Sequence, residues 1–578
     1  MNNKPWLKHY EPHVPEHLQY PDLILPEVLK HTSAHHADRP AMIFKGARIT
    51  YAEFDRAVDR FAAALQQLGV RKGNRVAVHL PNCPQYPIAY YATLRIGGIV
   101  VPCNPLYQSH EMIHQLNDSG AEIIVTLSSL YPLIKTIRPE TKLRHVIVAQ
   151  IKAYFPPLLR LLFTLLMEEK KGHRVDISRD RDTHWFTDVM ASAPAQPQPV
   201  AGPVHLDDLA MLMYTGGTTG ISKGAELTHR NIFVNAFQCK VWLNASEAQD
   251  IIMTQIPLFH CYGMTTCMNL SVVMADTMVL VPDPRDAEDV LATIVRFKPT
   301  LYPGVPAIYN TINNHPQVAK YDLKSIRACI SGAAGLPVEV QGRFQRLTGA
   351  RLVEGYGLSE ASPVTHANPL FGENRIGTIG LPWPDTEVKI VEADAGMDAV
   401  KAGEAGELCI RGPQVMRGYC NMPTETANTL RPDPDGGGPW LYTGDIAVMD
   451  EDGYFKIVDR KKDLIVSAGG LKVHPREIED VLYEHPKVLE AGAVGVPVEE
   501  GGDRVKVFVV LKPGQTATPE EIVEFCHDRL APYKVPKFVE FRDALPKTTV
   551  GKVLRRQLRD EDIQQRGAKE PEREKVPV

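Results

Sequence analysis

MLMYTGGTTGISKGAELTHRN, residues 211–231, decides how the rest of the chain is read. Residues 210–214 are apolar or aromatic and free of Gly and Pro, which predicts a short buried strand. A loop follows in which Gly216, Gly217 and Gly220 free the backbone to take positive φ and to approach a ligand closely. Thr215, Thr218, Thr219 and Ser222 add hydroxyl donors, and Lys223 adds one mobile positive charge. Successive amide N–H groups in such a turn form an anion-binding concavity, so the stretch suits phosphate oxygens. On composition alone, a glycine-rich surface turn stays open as a second reading. A Walker A loop does not fit, because Lys223 is followed by Gly224 and an expected strand over 225–227 instead of opening a helix.

At 578 residues the chain is too long for one core and should form at least two domains. Its 44% hydrophobic and 23% charged residues are those of an ordinary globular protein. A net charge of −5 gives no reason to expect a nucleic-acid partner. Nine cysteines without a Cys-x-x-Cys pair suggest neither a zinc site nor a disulfide framework, so a reduced cytoplasmic setting is expected. The first residues show no signal-peptide core, and no apolar run is long enough to span a bilayer.

Along the chain, an irregular Pro/His/Tyr-rich arm precedes two short strands. A helix follows, with Thr50 as N-cap, Glu53 at capping-box spacing and Gly69 at its end. RVAVHL, PQYPIAYYATLRIGG and IVVPCNP then read as strand, helix, strand, a crossover unit of a parallel sheet. The pattern breaks at 151–174, where Tyr154, Phe155, six leucines and Phe163 precede Lys170, Lys171 and Arg174. This segment suits either a packed insertion or an interfacial helix making peripheral contact with the cytoplasmic face of a membrane. An Ala/Pro/Gln linker spans 192–203, and alternating strands and helices beyond the 211–231 stretch predict a second doubly wound half. A compact α+β unit is expected over 462–558, and the charge-rich residues 559–578 predict a disordered tail.

The 215–224 loop resembles the signature loop of the adenylate-forming enzymes, Tyr-Thr-Ser-Gly-Thr-Thr-Gly-x-Pro-Lys-Gly, with Gly216 in place of the serine and Ser222 in place of the proline. Further words follow in the order of that family. SGAAG, 331–335, resembles the turn that lies against adenine and the acyl pocket, which would place Gly332 and Ala333 at the nucleotide and Gly332 and Ala334 at the acyl chain. EGYGLSE resembles the aromatic-Gly-x-Thr-Glu element. Glu354, Gly355, Tyr356, Gly357 and Ser359 would then line the nucleotide, Tyr356 would stack on adenine, and Glu360 with Thr215 would hold Mg²⁺. The TGD and DRKKD words imply Asp445 and Arg460 at the ribose and Lys462 at the hinge. Gly469, Gly470 and Lys472 would line the coenzyme A channel, and Lys552 in TTVGK would be the catalytic lysine carried on a mobile domain. His260 in PLFHCYG would stand beside the acyl site, where positioning is a better role for it than proton transfer.

The resemblance, strongest to bacterial long-chain fatty-acid CoA ligases, implies an α/β fold. Residues 1–461 would form layered αβ subdomains plus a small β-barrel, followed by a mobile α+β C-terminal domain. It implies that a fatty acid, ATP and coenzyme A react with Mg²⁺ to give acyl-AMP and pyrophosphate, then acyl-CoA and AMP, with Lys223, Glu360 and Lys552 as catalytic residues. An aryl- or branched-acid CoA ligase, an acyl-AMP ligase loading a carrier protein, and a non-catalytic lipid- or nucleotide-binding relative are the alternatives. The oligomeric state stays open, a homodimer included.

Overall fold

Thr50 caps the helix Tyr51–Gln67 as its spacing predicts. Its hydroxyl accepts the Glu53 N–H at 3.2 Å, and the Glu53 carboxylate accepts the Thr50 N–H at 2.8 Å. Phe54, Val58, Phe61 and Leu65, spaced three or four apart, form its buried face. That face packs on the helix Gln85–Arg95, which crosses between the parallel strands Arg75–His79 and Ile99–Pro102. The structure is a computed structural model that describes residues 4–200, 202–215, 222–392, 396, 398–433, 436–466, 472–497, 503–548 and 551–567.

These strands belong to an eight-stranded sheet. Its order is Gly418–Tyr419, Lys223–Thr228, Leu209–Thr215, Ile99–Pro102, Arg75–His79, Ile123–Leu127, His145–Ala149 and Thr183–Trp185. The middle is parallel and buried on both faces, mostly by apolar side chains, whereas Lys223–Thr228 turns back antiparallel onto Leu209–Thr215. A second layered half follows, as expected. In it Ile251–Thr254 and Thr277–Leu280 run parallel, and so do Ala328–Ser331 and Arg351–Gly357. Single bridges through Leu301 connect the two pairs. The early strand Pro40–Phe44 joins this second half, pairing in parallel with Thr277–Leu280.

By its contacts the chain divides into two compact units. One contains Met1–Leu336, Val340–Val388 and Ile410–Leu441; the other contains Pro337–Glu339, Lys389–Cys409 and Tyr442–Val578. In the region of the implied barrel, Glu387–Val391, Ala405–Arg411, Trp440–Met449, Leu430–Arg431 and Phe455–Arg460 form a five-stranded sheet. The second unit has its own core, in which Ile478, Leu482, Ile522 and Cys526 from two helices meet Val505, Val507 and Val509 of a three-stranded sheet. The tail expectation needs correction over 559–567. The helix Arg555–Gly567 continues through this stretch, because Leu558 is buried and Asp562 accepts the Lys506 ammonium at 2.5 Å. Residues 568–578 lie outside the described residues.

The apolar segment is not a buried insertion. Its helix, Pro157–Leu166, has no buried residue, and Leu158, Leu161, Leu162, Leu165 and Leu166 are 44–70% exposed. Their spacing puts them on one face. On the other side, Phe163 packs against Phe155 and His173, while Lys152 and the buried Glu168 form an ion pair at 2.6 Å. Beyond 192 the linker runs along the surface, where Gln198 exchanges two hydrogen bonds with Gln66.

Candidate active site

Lys223 opens its strand directly opposite Thr215, so the turn between them starts and ends on paired backbone. The Ser222 hydroxyl donates to the Thr215 carbonyl at 2.7 Å, and Tyr214 reaches Asp118 at 2.6 Å, which pins the base of the loop. Both strands contact the short turn Ser359–Ala361, which brings Lys223 and Glu360 into one neighbourhood. The join is Tyr419. Its hydroxyl donates to the Glu360 carboxylate at 2.7 Å, and the Lys223 ammonium sits 5.3 Å from the centre of its ring. Lys223 also forms an ion pair with Glu425. Burial and the adjoining Glu360 raise the pKa of the Tyr419 hydroxyl, so it remains a proton donor to that carboxylate. A lysine and a carboxylate oriented by a phenol are thus held on one sheet edge.

The strand Arg351–Gly357 supplies the adjoining surface. Tyr356 pairs in register with His366, and their rings meet edge to face at 5.9 Å. Gly357 is obligatory here: a Cβ would lie 2.2 Å from the Pro363 carbonyl oxygen. At Gly355 a Cβ would come within 2.9 Å of Ile330. The Glu354 side chain is buried, and its carbonyl accepts the Asn368 N–H at 3.0 Å. Ser359 lies 3.3 Å from the Cys261 sulfur, whose thiol burial pushes up to about 12, leaving it inert as a nucleophile.

At the small turn, Ala333 takes φ +66°, a left-handed conformation that a residue with a Cβ rarely adopts. Gly332 faces the Tyr262 ring, where a Cβ would meet ring atoms at 3.2 Å, and the Tyr262 hydroxyl donates to the Ile330 carbonyl at 2.6 Å. The missing side chain at 332 therefore makes room for a tyrosine. His260 accepts the Tyr262 N–H at 3.2 Å, and burial pushes its pKa down to about 4, so the imidazole is neutral near pH 7. Both facts suit a positioning role.

A second constellation lies wholly in the second unit. Asp445 and Arg460 are register partners across a hairpin and form an ion pair at 3.2 Å. Lys552 shares this environment. Its pKa is lowered to about 8 by burial first, then by the positive Arg460 and Arg555, with Asp445 and Asp463 opposing. Lys462 is exposed in the turn that follows Phe455–Arg460.

Residues 29–420 match the family model described as AMP-binding enzyme, and residues 477–552 match its C-terminal domain. The chain belongs to the AMP-binding enzyme family. Among its relatives, a long-chain-fatty-acid–CoA ligase of Bacillus subtilis (strain 168) is 44% identical over 97% of this chain and 99% of the relative. A ligase of the same description from Salmonella typhimurium is 39% identical over 96% and 98%. Among solved structures, an anthranilate CoA ligase in complex with anthranoyl-AMP superposes with TM-score 0.82 at 26% identity, covering 94% of this chain and 98% of that one. A benzoate CoA ligase from Burkholderia xenovorans LB400 gives 0.80 at 27% identity over 93% and 100%.

In this AMP-binding enzyme, Gly216, Gly217, Thr218, Thr219, Gly220, Gly469 and Gly470 lie outside the described residues, and of Lys472 only the backbone, in the strand Lys472–Val473, is described. Sequence reasoning missed Tyr419, Glu425 and Arg555. The only signal for Tyr419 is a Gly-Tyr pair with no periodic context, and nothing local announces that it pairs with the strand Lys223–Thr228.

Proposed function

We propose that this chain is an ATP-dependent fatty-acid CoA ligase acting on medium- to long-chain acids through an acyl-adenylate. The observation that carries the reading is the arrangement of Lys223, which follows the glycine-rich segment, with Tyr419 and Glu360. The similarity to curated long-chain ligases supports the substrate class.

A carboxylate oxygen of the fatty acid attacks the α-phosphorus of ATP, and the bond to pyrophosphate breaks. Lys223 neutralises phosphate charge as that bond lengthens, exchanging Glu425 for the nucleotide. Lys552 bridges carboxylate and α-phosphate, so that two anions approach without repelling one another. Asp445 accepts the ribose hydroxyls and Arg460 fixes Asp445. His260 and the turn around Gly332 and Ala334 orient the acyl end. The thiol sulfur of coenzyme A then attacks the acyl carbonyl, its proton passing to solvent, and AMP leaves, after the C-terminal part pivots at Lys462 and withdraws Lys552. Gly469, Gly470 and Lys472 guide the thiol.

Mg²⁺ fits this site. Glu360 and Thr215 offer hard oxygen ligands, and no group of three His, Cys, Asp or Glu gathers among the described residues, so the ion would share its shell with phosphate oxygens and water. Bound there, it would offset charge on the phosphates.

The apolar helix supports peripheral contact with a lipid surface, from which a long-chain acid is collected. Pyrophosphate release should be measured with Mg-ATP and a panel of acids from acetate to oleate plus benzoate, with and without coenzyme A. Coenzyme-A-dependent turnover that peaks at the longer chains is expected. A benzoate optimum would favour the aryl ligase of the solved relatives, release without a coenzyme A requirement would favour an acyl-AMP ligase, and no release with any acid would favour the non-catalytic relative.

A further inference from the structure

Arg555 is absorbed by none of the roles above, yet three carboxylates of the second unit hold its guanidinium. Its guanidinium donates to Asp459 at 2.8 Å, to Asp463 at 3.1 Å, and in a fork to Glu479 at 2.9 and 2.5 Å. These carboxylates come from three places: the end of a strand, the turn after it, and the helix Pro475–Tyr483. Arg555 lies three residues beyond Lys552. The backbone around Lys552 is tied to the segment before it, Thr548 N–H donating to the Lys552 carbonyl at 2.8 Å and Leu554 N–H to the Pro546 carbonyl at 2.9 Å. Whatever fixes Arg555 therefore fixes the position of Lys552.

The three partners are not equivalent about Lys462. Asp463 and Glu479 follow it in sequence and travel with Arg555. Asp459 precedes it, beside Arg460, and stays behind. The Asp459 side chain is 1% exposed and fully engaged. One oxygen accepts the Arg460 N–H at 2.7 Å and Arg555, and the other accepts the Arg476 N–H, at the start of the Pro475–Tyr483 helix, at 3.0 Å. Of these bonds, those from Arg555 and Arg476 cross the pivot.

We propose that Asp459 and Arg555 form a latch that holds Lys552 in the adenylating pose and that must open before coenzyme A can react. The inference rests on the two-pose ligase reading. The asymmetry gives the latch its physics. On opening, Arg555 keeps Asp463 and Glu479, so no bare guanidinium results, whereas Asp459 loses its cation and must be rehydrated. The closed pose is thus the resting one. Arginine is required because only its planar fork serves three carboxylates at once.

Adenylation (ATP–pyrophosphate exchange) and thioester formation from supplied dodecanoyl-AMP should be measured separately in wild type, Asp459→Asn, Arg555→Lys and Glu479→Gln. Trypsin cleavage after the exposed Lys461 and Lys462, and thermal midpoints, should be followed in the same proteins. Asp459→Asn and Arg555→Lys should lower adenylation roughly tenfold, the scale of a lost charge-assisted hydrogen bond, while thioester formation is kept or rises. Hinge cleavage should quicken in both without a matching fall in thermal midpoint. Glu479→Gln, whose bond does not cross the pivot, should not separate the half-reactions. Equal loss in both halves for Asp459→Asn, or hinge cleavage at the wild-type rate, would overturn the latch. Wild-type protein inactive in both halves would overturn the ligase reading, and the cleavage rates would still decide whether the latch exists.

Discussion

In the role proposed for Lys552, the decisive quantity is the charge that the side chain carries when nucleotide arrives. A lysine lowered from its usual 10.5 to about 8 is still an ammonium at neutral pH, and it loses its proton as pH rises through 8. Pyrophosphate exchange, run without coenzyme A so that no thiol titrates, should show an alkaline limb near pH 8 in kcat/KM for ATP. Lys552→Arg should move that limb beyond the assay range, and a limb unmoved by the substitution would assign it to another group. Lys552→Ala should depress adenylation about 10²-fold, on the scale of losing one preorganised electrostatic contact. Tyr419 tests the other constellation. Tyr419→Phe keeps the ring under Lys223 and removes the hydroxyl from Glu360, so the Glu360 carboxylate loses its orientation while the lysine site persists. KM for Mg-ATP should rise roughly tenfold with folding unchanged, since one hydrogen bond to a charged group is lost.

The Pro157–Leu166 helix shows how far an element can be read before its surroundings are known. Its apolar spacing and proline entrance are plain in the sequence, but the same pattern suits a buried helix and a surface one. The choice fell to Phe163, Phe155 and the Lys152–Glu168 pair, which tie down one side and leave five leucines outward. Lys170, Lys171 and Arg174 are exposed beside it, and the membrane contact proposed above is with an anionic lipid surface. Leu158→Ser with Leu165→Ser should weaken co-sedimentation with phosphatidylglycerol vesicles at least tenfold, because each buried leucine contributes on the order of 1–2 kcal/mol. Exchange activity on a short, soluble acid should be unaffected. Vesicle binding equal to wild type would remove the membrane role. The Arg555–Gly567 helix is the opposite case. From residue 559 its charge-rich composition suggested a disordered tail, whereas contacts made across the fold, the buried Leu558 and the pairs Lys506–Asp562, Arg542–Glu561 and Arg559–Asp503, hold it in place.

At the scale of the molecule, stability should fall on acidification. His79, His229 and His366 are fully buried, and burial lowers their pKa values from 6.5 to about 4, 4 and 3. For each, the folded pKa lies below the unfolded one, so the unfolded chain takes up the proton first. Their contribution is whole above about pH 6.5 and is lost progressively as pH falls toward 4. Asp276, raised to about 7 by burial, acts in the opposite sense over part of the same window, against these histidines and His260, which burial also lowers. Urea midpoints at pH 7.5, 5.5 and 4.5 should therefore fall in that order. A midpoint constant across this range would mean that these histidines are hydrated and titrate normally.

What the sequence by itself determined is whatever local chemistry dictates: the Thr50 capping box, the crossover strands, the glycine loop between a strand and Lys223, and the order of words that marks the family. Each depends on residues a few positions apart, and a linear reading sees that range. Tertiary structure decided the rest. It paired the Pro40–Phe44 strand with one more than two hundred residues away, set Tyr419 between Lys223 and Glu360, filled the space beside Gly332 with Tyr262, and gathered Asp459, Asp463 and Glu479 around Arg555. The reason is that a lone tyrosine or arginine carries no local signature of its partner. Its role comes from the cost of leaving a buried polar group unpaired, and that cost is defined only once the chain has closed around it.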